Sequence, residues 1–212
     1  MRVVTISASY GAGGSIIAPA VAEQLDLPLV QRPISSNVAA HMAGALREAL
    51  DDERPQRSIG RLFSTTVRLL SQGTYFAVPL MVEEEDEVRI QLEAGMKEAE
   101  RRGGQVALAP GARFVIGDLP NALHVRLDGP AERRWQRAAE IEQVDIATAR
   151  TRQRETDEAR SLYVRHIYHA HWDDPVLYHL LVDTTALPIE TSVELIVAAA
   201  RARFEQAEKA TS

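Results

Sequence analysis

The sequence contains no cysteine, which excludes disulfide bonds and thiolate metal sites. It also lacks any apolar run of the roughly 18 residues that a membrane span requires, and the apolar run at residues 3–6 is too short for a secretion signal. We therefore expect a cytoplasmic protein that has no membrane segment. A surplus of positive charge is missing as well, since the formal net charge is −6. Because sequence-independent binding to nucleic acid depends on a basic surface, we expect no nucleic-acid partner.

The composition is that of a folded protein with one substantial core. The chain has 212 residues, of which 45% are hydrophobic and 25% are charged, and this length is typical of a single domain. We predict one domain over residues 1–212. The run at residues 3–6 predicts a strand buried on both faces, followed by a glycine cluster, a helix over 15–25 and a strand over 27–30. Such strand, loop, helix, strand units build parallel sheets, whose ligands lie at the carboxyl ends of the strands.

The rest of the chain continues the alternation of helices and strands. Residues 35–80 form a predicted helical excursion, and a further helix is expected from 83 to about 102. The other predicted strands cover 105–109, 122–127 and 180–183, and the other predicted helices cover 130–141, 145–160 and 188–206. The fold class indicated by this order is α/β, with a parallel sheet flanked by helices.

The glycine cluster carries the first chemical prediction. Residues Gly11, Ala12, Gly13, Gly14 and Ser15 follow a strand and open a helix. Backbone amides at such a place, brought close by glycines, form a concave site that favours phosphate. Compared with the full phosphate-loop pattern, Ser15 falls where a hydroxyl binds Mg²⁺, but the lysine is missing. The alternative is a glycine-rich turn that only permits tight packing of the strand on the helix.

The missing lysine directs attention to the arginines of the stretch 145–160. That lysine normally follows the transferred phosphates, so another cation is needed if the loop is to catalyse phosphoryl transfer. Arg154 and Arg160 are the preferred candidates, because guanidinium groups carried by a closing lid can bind phosphate oxygens. The interleaved carboxylates Glu155, Asp157 and Glu158 leave open the alternative of a solvated helix with surface ion pairs.

The opening sequence VVTISASYGAGGSIIA resembles the start of the cytidylate kinase-like family. Later segments resemble the same family in the same order. These segments are GQVALAPGAR at 104–113, LHVRLDGPAERR at 123–134, DEARSLY at 157–163 and WDDPVLYHLLVDT at 172–184. The resemblance implies a P-loop kinase fold with three layers, a five-stranded parallel sheet, a helical acceptor-binding insertion and an arginine-rich lid at 145–172.

The resemblance also implies an activity and a set of site residues. The implied reaction is transfer of the γ-phosphoryl group of ATP, with Mg²⁺, to a nucleoside monophosphate, CMP first. Arg154, Arg160 and Asp157 would then act in the lid, with Asp157 orienting a lid arginine, and the acceptor would meet Arg32 and Arg113. Two positions depart from the family pattern: Ala109-Pro110 replaces a Gly-Arg pair, and Gln31-Arg32 replaces an Asp-Arg pair.

Three functions remain open from the sequence. The first is a nucleoside monophosphate kinase-like enzyme, and the second is a catalytically weak or inactive relative that binds nucleotide as a sensor or interaction module. The third is a structural role, compatible with a homo-oligomer, in which the loop binds no nucleotide. The intact loop glycines and the lid arginines favour the enzyme, whereas the missing lysine and Pro110 favour the sensor.

Overall fold

The computed structural model describes residues 1–31, 101 and 103–211. The strands in these ranges are β1 (Arg2–Ala8), β2 (Leu29–Gln31), β3 (Gly104–Leu108), β4 (Ala122–Asp128) and β5 (Leu180–Asp183). The helices are α1 (Gly14–Leu25), α2 (Ala112–Ile116), α3 (Ala131–Glu142), α4 (Ile146–Tyr168) and α5 (Ile189–Thr211), with a 3-10 turn at Pro175–Leu177. The predicted excursion at 35–80 and the predicted helix at 83–102 lie outside the described residues, apart from residue 101.

The described strands form one parallel sheet in the order β2-β3-β1-β4-β5. β1 lies at the centre, where it pairs with β3 on one side and β4 on the other. This confirms the α/β class and the five-stranded parallel sheet. Because all strands run the same way, their carboxyl ends meet at one edge, and the loop after β1 lies in the middle of that edge.

One face of the sheet is apolar and carries the main core. Val4 and Ile6 of β1 are fully buried there, together with Val125 and Leu127 of the neighbouring strand β4. α1 and α5 cover this face with a continuous apolar stripe that includes Ile17, Val21, Ile196 and Val197. Full burial of such a side chain contributes roughly 1.5–3 kcal/mol. The apolar residues at alternate positions of β1 therefore determine the face on which α1 packs. The helix must leave the loop toward that face.

The opposite face of β1 and β4 is buried but polar. Thr5 and Ser7 of β1 and His124 and Arg126 of β4 are all at most 4% exposed. Thr5 pairs with His124 in the strand register, and Ser7 pairs with Arg126. Buried polar groups need hydrogen-bond partners. Thr5 and His124 bond to each other, and His124 and Arg126 also bond to Gly117, Trp172 and Ser9, whereas the Ser7 hydroxyl has no partner among the described residues. At the carboxyl edge of the sheet, this polar face contacts the loop after β1, where Arg126 donates to the Ser9 hydroxyl.

Two elements differ from the sequence prediction. α2 (Ala112–Ile116) stands where only a glycine loop was expected, and α4 continues to Tyr168 beyond the expected end at 160. Asp145 caps α4, since its carboxylate accepts a hydrogen bond from the Thr148 amide at 2.8 Å. The start of α4 at this cap agrees with the predicted start at 145.

Candidate functional site

The loop between β1 and α1 has two residues in the left-handed region. Gly11 has φ 76° and Gly13 has φ 75°, values that strain any residue with a side chain. Gly11 also packs on α3, where an added Cβ atom would overlap the backbone oxygen of Arg134. Both the turn and its contact with α3 therefore require glycine at position 11.

Four backbone amides of this segment donate no hydrogen bond to any described residue. They belong to Gly11, Gly13, Gly14 and Ser15. By contrast, the Ala12 amide donates to the Ser9 carbonyl oxygen at 3.1 Å, and the Ile17 amide donates to Gly13 at 2.9 Å. Unpaired amides at the positive end of a helix form a site for an anion.

The carbonyl oxygens of the loop are held by side chains from three other parts of the fold. Arg160 of α4 donates to Ala8 at 2.6 Å, Arg134 of α3 donates to Tyr10 at 2.9 Å, and the Thr184 hydroxyl donates to Ala12 at 2.8 Å. The C=O and N–H of one planar peptide point in opposite directions, so these bonds also orient the amides. α3, α4 and the turn after β5 thus hold the loop in one shape.

Asp157 joins α4 to the loop and to α3. Its carboxylate accepts a hydrogen bond from the Tyr10 amide at 2.8 Å and from Nη1 of Arg134 at 2.6 Å. Arg160 lies 3.8 Å from the same carboxylate, one turn further along α4. Asp157 therefore pairs mainly with Arg134, a residue outside the predicted lid, and it docks α4 on the loop.

Guanidinium groups outnumber carboxylates around the loop. The side chains of Arg126, Arg134 and Arg160 are 3%, 10% and 16% exposed, and their carboxylate partners are Asp128 and Asp157. Burial lowers the pKa of Arg160, and the positive charges of Arg126 and Arg134 act in the same direction. A surplus of partly buried positive charge beside free amides favours the binding of an anion.

Arg137 of α3 adds a further cation with one unused nitrogen. Its Nη2 donates to the Thr184 carbonyl oxygen at 2.6 Å, whereas its Nη1 is buried and has no hydrogen-bond partner in the described part of the chain. This Nη1 would lie 3.6 Å from a Cβ atom at Gly13. A buried donor without a partner is costly, and its position beside the loop suits a ligand that accepts hydrogen bonds.

The predicted lid residues occupy different environments. Asp157 and Arg160 reach the loop, as described above, whereas Arg154 is exposed and makes no hydrogen bond or ion pair with a described residue. Ser15 is exposed in the first turn of α1. The catalytic roles of Arg154, Arg160 and Asp157, and the metal-binding role of Ser15, stay predictions.

Arg113, a predicted acceptor ligand, lies in α2 and is engaged within the protein. Its Nε donates to the Leu177 carbonyl oxygen at 2.9 Å, and its Nη2 lies 2.5 Å from the Asp118 carboxylate. These contacts join α2 to the 3-10 turn before β5. Its contact with an acceptor stays a prediction, as does that of Arg32, which lies outside the described residues.

Sequence reasoning missed four residues that contact the loop or its neighbours. They are Arg126, Arg134, Arg137 and Thr184. One signal was available, because the first turns of α3 follow the carboxyl end of β4, where the sheet meets its ligands. No local pattern shows which arginine of the segment 131–142 turns inward, since the choice depends on how α3 packs.

A second polar cluster surrounds His124 on the buried polar face. Its Nδ1 lies 2.8 Å from the Thr5 hydroxyl and its Nε2 lies 3.0 Å from the Gly117 carbonyl oxygen. A carbonyl oxygen only accepts, so Nε2 carries the proton and Nδ1 accepts from Thr5. The His179 ring stacks on His124 with centroids 4.8 Å apart. Burial lowers the pKa of His124 to about 4, so the ring is neutral near pH 7.

The described residues contain neither a metal-binding cluster nor a membrane-spanning helix. Among them, no group of three or more His, Asp or Glu side chains is arranged to hold a metal ion. No described helix is both long enough and apolar enough to cross a bilayer. The exposed hydroxyl of Ser15 is an oxygen ligand of the kind that Mg²⁺ prefers.

The central strand, its glycine loop, the helix that follows and the sheet order define the class of the protein, which is the P-loop kinase fold. The sequence profile of the cytidylate kinase-like family matches residues 3–186. The chain belongs to the cytidylate kinase-like family. This confirms the resemblance drawn from the sequence motifs, although comparison with curated proteins gives no match.

Comparison with solved structures gives several likenesses over nearly the whole chain. An uncharacterized protein from Eubacterium ventriosum is 18% identical, with a TM-score of 0.59 and coverage of 95% of this chain and 99% of that one. A gluconokinase from Sinorhizobium meliloti is 15% identical, with a TM-score of 0.47 and coverage of 100% and 98%. A deoxyadenosine kinase from M. mycoides is 12% identical, with a TM-score of 0.43 and coverage of 95% and 100%. The first of these supports the fold.

Proposed function

We propose that this chain is a nucleoside monophosphate kinase-like phosphotransferase, which moves the γ-phosphoryl group of ATP to a nucleoside monophosphate. Its family and its P-loop kinase fold support a kinase-like role. The observation that carries the proposal is the set of unpaired amides at positions 11, 13, 14 and 15, placed beside a surplus of arginine side chains. Free amides and guanidinium groups together match the charge and the acceptor oxygens of a polyphosphate.

The loop would bind the phosphates of ATP through these amides, and Arg160 would offset their charge. Phosphoryl transfer depends mainly on positioning and electrostatic stabilisation, so the chain needs no protein nucleophile. Mg²⁺ bound with ATP would neutralise phosphate charge, with the Ser15 hydroxyl as its protein ligand. Arg154, exposed on α4, would act on the transferred group when the lid residues 145–172 close.

The acceptor is the least constrained part of the proposal. CMP is the first candidate because of the family to which the chain belongs. We assign Arg32 and Arg113 to the acceptor phosphate, as the family resemblance implies. The present bonds of Arg113 to Leu177 and Asp118 would have to rearrange for that contact to form.

A second candidate function is a nucleotide-binding sensor with weak or no turnover. Two observations favour it. The lysine position of the loop holds Gly14, and the carboxylate of Asp157 already accepts from the Tyr10 amide of the loop. In this function, an incoming nucleotide would alter how α4 docks, and the interaction of α4 with a partner would report the bound state.

A coupled assay of ADP release from ATP and Mg²⁺, run in turn with CMP, UMP, AMP and GMP, distinguishes these functions. Calorimetric titration of each nucleotide is the companion measurement. We expect turnover with one acceptor, which would identify the enzyme and its substrate. Binding of ATP without turnover would support the sensor. If no nucleotide bound, both proposals would fail and only a structural role would remain.

Arg154→Ala tests the lid in the same assay, because the exposed side chain of Arg154 makes no hydrogen bond or ion pair with a described residue. We expect kcat to fall at least tenfold while the affinity for ATP changes little, as for a residue that acts on the transition state. Arg165→Ala is the matched control, since Arg165 is exposed on the same helix. Unchanged kcat in Arg154→Ala would remove Arg154 from the mechanism.

A further inference from the structure

The position of the missing lysine is closed by the sheet. A Cβ atom at Gly14 would lie 2.6 Å from the Cβ of Ala8 and 3.3 Å from a methyl group of Leu108. Ala8 ends β1, so its Cβ cannot move without disturbing the central strand. The methyl group of Leu108 ends a flexible side chain and can shift, so the contact with Ala8 decides the cost. Cβ atoms do not approach to 2.6 Å, and a side chain at 14 would overpack this site.

Ala8 and Gly14 therefore form a coupled pair. In the phosphate-loop pattern the first loop position is glycine and the position of Gly14 is lysine. In this chain the first position carries a methyl group, and that methyl group fills the space that the Cβ of the lysine would need. The two departures from the pattern have one steric cause, and restoring the lysine requires removing the methyl group of Ala8.

The other cations at the loop are already engaged. Arg134 and Arg160 donate to loop carbonyl oxygens and contact Asp157, and Arg126 contacts Ser9 and Asp128. The full sequence contains only two lysines, Lys97 and Lys209. Nη1 of Arg137 is the buried guanidinium nitrogen that has no partner within the described residues.

We propose that Arg137 supplies the phosphate-facing cation of this loop, in place of a lysine at position 14. This inference rests on the proposed function, because it takes the ligand to be the polyphosphate of a nucleotide. The ligand would accept hydrogen bonds from the free amides at Gly13 and Gly14 and from Nη1 of Arg137. Through that contact, α3 replaces α1 as the element that carries the cation.

The surroundings of Arg137 prepare it for this role. Its Nη2 donates to the carbonyl oxygen of Thr184, and the hydroxyl of Thr184 donates to the carbonyl oxygen of Ala12. One buried residue after β5 thus positions both the guanidinium group and the loop. Since Gly13 has no side chain, nothing at position 13 separates Nη1 from the loop backbone. A guanidinium held at one nitrogen and free at the other loses little entropy on binding phosphate.

Calorimetric titration with inorganic tripolyphosphate and with ATP·Mg²⁺ tests the proposal. Tripolyphosphate isolates the phosphate contact, because it has no base or sugar. We expect Arg137→Gln to bind both ligands about tenfold to a hundredfold more weakly than the natural chain, the usual effect of losing a charged hydrogen bond. Arg201→Gln is the charge-matched control, since Arg201 donates to Gln24 near the far end of α1, and we expect it to bind both ligands normally.

Arg137→Lys provides a second test that does not depend on how well Arg137→Gln folds. A guanidinium can bond to Thr184 with one nitrogen and to a phosphate with another, whereas the single ammonium nitrogen of lysine cannot hold both partners in that geometry. We therefore expect Arg137→Lys to bind several-fold more weakly than the natural chain. The melting temperature of each variant shows whether it is folded. Normal affinity for tripolyphosphate in a folded variant of either kind, Arg137→Lys or Arg137→Gln, would overturn the proposal.

A rescue experiment tests the coupling between Ala8 and Gly14. We expect Gly14→Lys alone to lower the melting temperature, and the added change Ala8→Gly to restore it. In the triple variant that also carries Arg137→Gln, the new lysine should recover tripolyphosphate binding at least tenfold relative to Arg137→Gln. No recovery in a folded triple variant would count against an equivalent role for the two cations.

The outcomes separate this inference from the proposed function. If the natural chain binds ATP·Mg²⁺ and folded Arg137→Gln binds it equally well, the kinase-like proposal stands and the assignment of Arg137 fails. If the natural chain binds neither tripolyphosphate nor ATP·Mg²⁺, both fail. Weaker binding in Arg137→Gln with normal binding in Arg201→Gln supports the assignment of Arg137, and the turnover assay then separates the enzyme from the sensor.

Discussion

Two glycines of this chain have the same backbone angle but different surroundings. Gly11 and Gly103 both have φ 76°. A Cβ atom at Gly11 would overlap the backbone oxygen of Arg134, whereas one at Gly103 would meet nothing within 4 Å. A side chain added at Gly103 therefore costs only the free energy of the strained backbone angle, whereas one added at Gly11 also costs the free energy of the clash with α3.

We expect Gly11→Ala to lower the free energy of unfolding by about 3 kcal/mol, the sum of left-handed strain and overpacking. Gly103→Ala should lower it by about 1–2 kcal/mol, from left-handed strain alone. Urea denaturation of both variants measures the difference. Equal losses would mean that α3 moves away from the loop at little cost, and the rigidity inferred for the loop would be wrong.

His124 makes the stability of the protein depend on pH. Its pKa falls from an ordinary 6.5 to about 4 on folding, because burial disfavours the charged ring. Between these values the unfolded chain binds more protons than the folded one, so stability falls as the pH is lowered from 6.5 to 4. This shift corresponds to about 3 kcal/mol at most. Burial also lowers the pKa of the neighbouring His179, which adds to the loss.

His124→Gln should flatten this part of the pH profile, because the amide can still bond to Thr5 and Gly117 but does not titrate. His171→Gln is the control, since His171 is exposed, and it should keep the full slope. The free energy of unfolding by urea, measured at pH 7 and pH 4.5 for both variants, tests this expectation. A slope that survives unchanged in His124→Gln would show that other groups cause it.

At the scale of elements, the described ion pairs between α4 and α3 differ in burial. Asp157 and Arg134 have side chains 21% and 10% exposed, whereas Glu142 and Arg152 have side chains 33% and 37% exposed. Both pairs join α4 to α3 at 2.6 Å. Solvent screens the more exposed pair, Glu142–Arg152. Removing Asp157 from the other pair would instead leave the charge of Arg134 buried.

We therefore expect Asp157→Asn to lower the free energy of unfolding by about 2 kcal/mol, since Arg134 keeps Asp128 as a partial partner. Glu142→Gln should change it little. Urea denaturation at low and high salt compares the two, and salt should weaken only the small effect of Glu142→Gln. If Asp157→Asn were as mild as Glu142→Gln, the docking of α4 on the loop would rest on other contacts.

Elements with a strong local pattern were predicted well, and those held by tertiary contacts were not. The β1 strand, the α1 helix and the start of α4 at residue 145 carry their signals within a few residues. α2 has only five residues, Ala112–Ile116, and no side-chain cap, so its helical form depends on packing against the sheet. The glycine loop could likewise be recognised from the sequence, because its amides belong to consecutive residues.

The arginines around the loop could not be read in the same way. Arg126, Arg134 and Arg137 come from a strand and a helix more than a hundred residues after the loop. Their role depends on which side of α3 faces the sheet and on the inward orientation of alternate residues in β4. The sequence favoured Arg154 because it lies in an arginine-rich stretch, yet within the described residues its side chain remains exposed.

At the scale of the whole molecule, the sheet order places all of these groups at one edge. β1 is central, so the loop after it lies between the carboxyl ends of β3 and β4. α3 follows β4 and reaches the loop from one side, and the turn after β5 supplies Thr184. The order of strands thus accounts for the convergence of distant residues that no local motif records.

The central place of β1 also governs how the chain can fold. Arg2 pairs with Gly104 and Val3 pairs with Ala122, so both neighbours of β1 lie more than a hundred residues away along the chain. Closing such long loops costs chain entropy before any pairing is gained. During synthesis we therefore expect the backbone edges of β1 to stay unpaired and its apolar face to stay uncovered until β3 and β4 have been made. The strand order that brings distant arginines to the loop therefore delays the pairing of β1, and we expect the unfinished chain to be prone to aggregation.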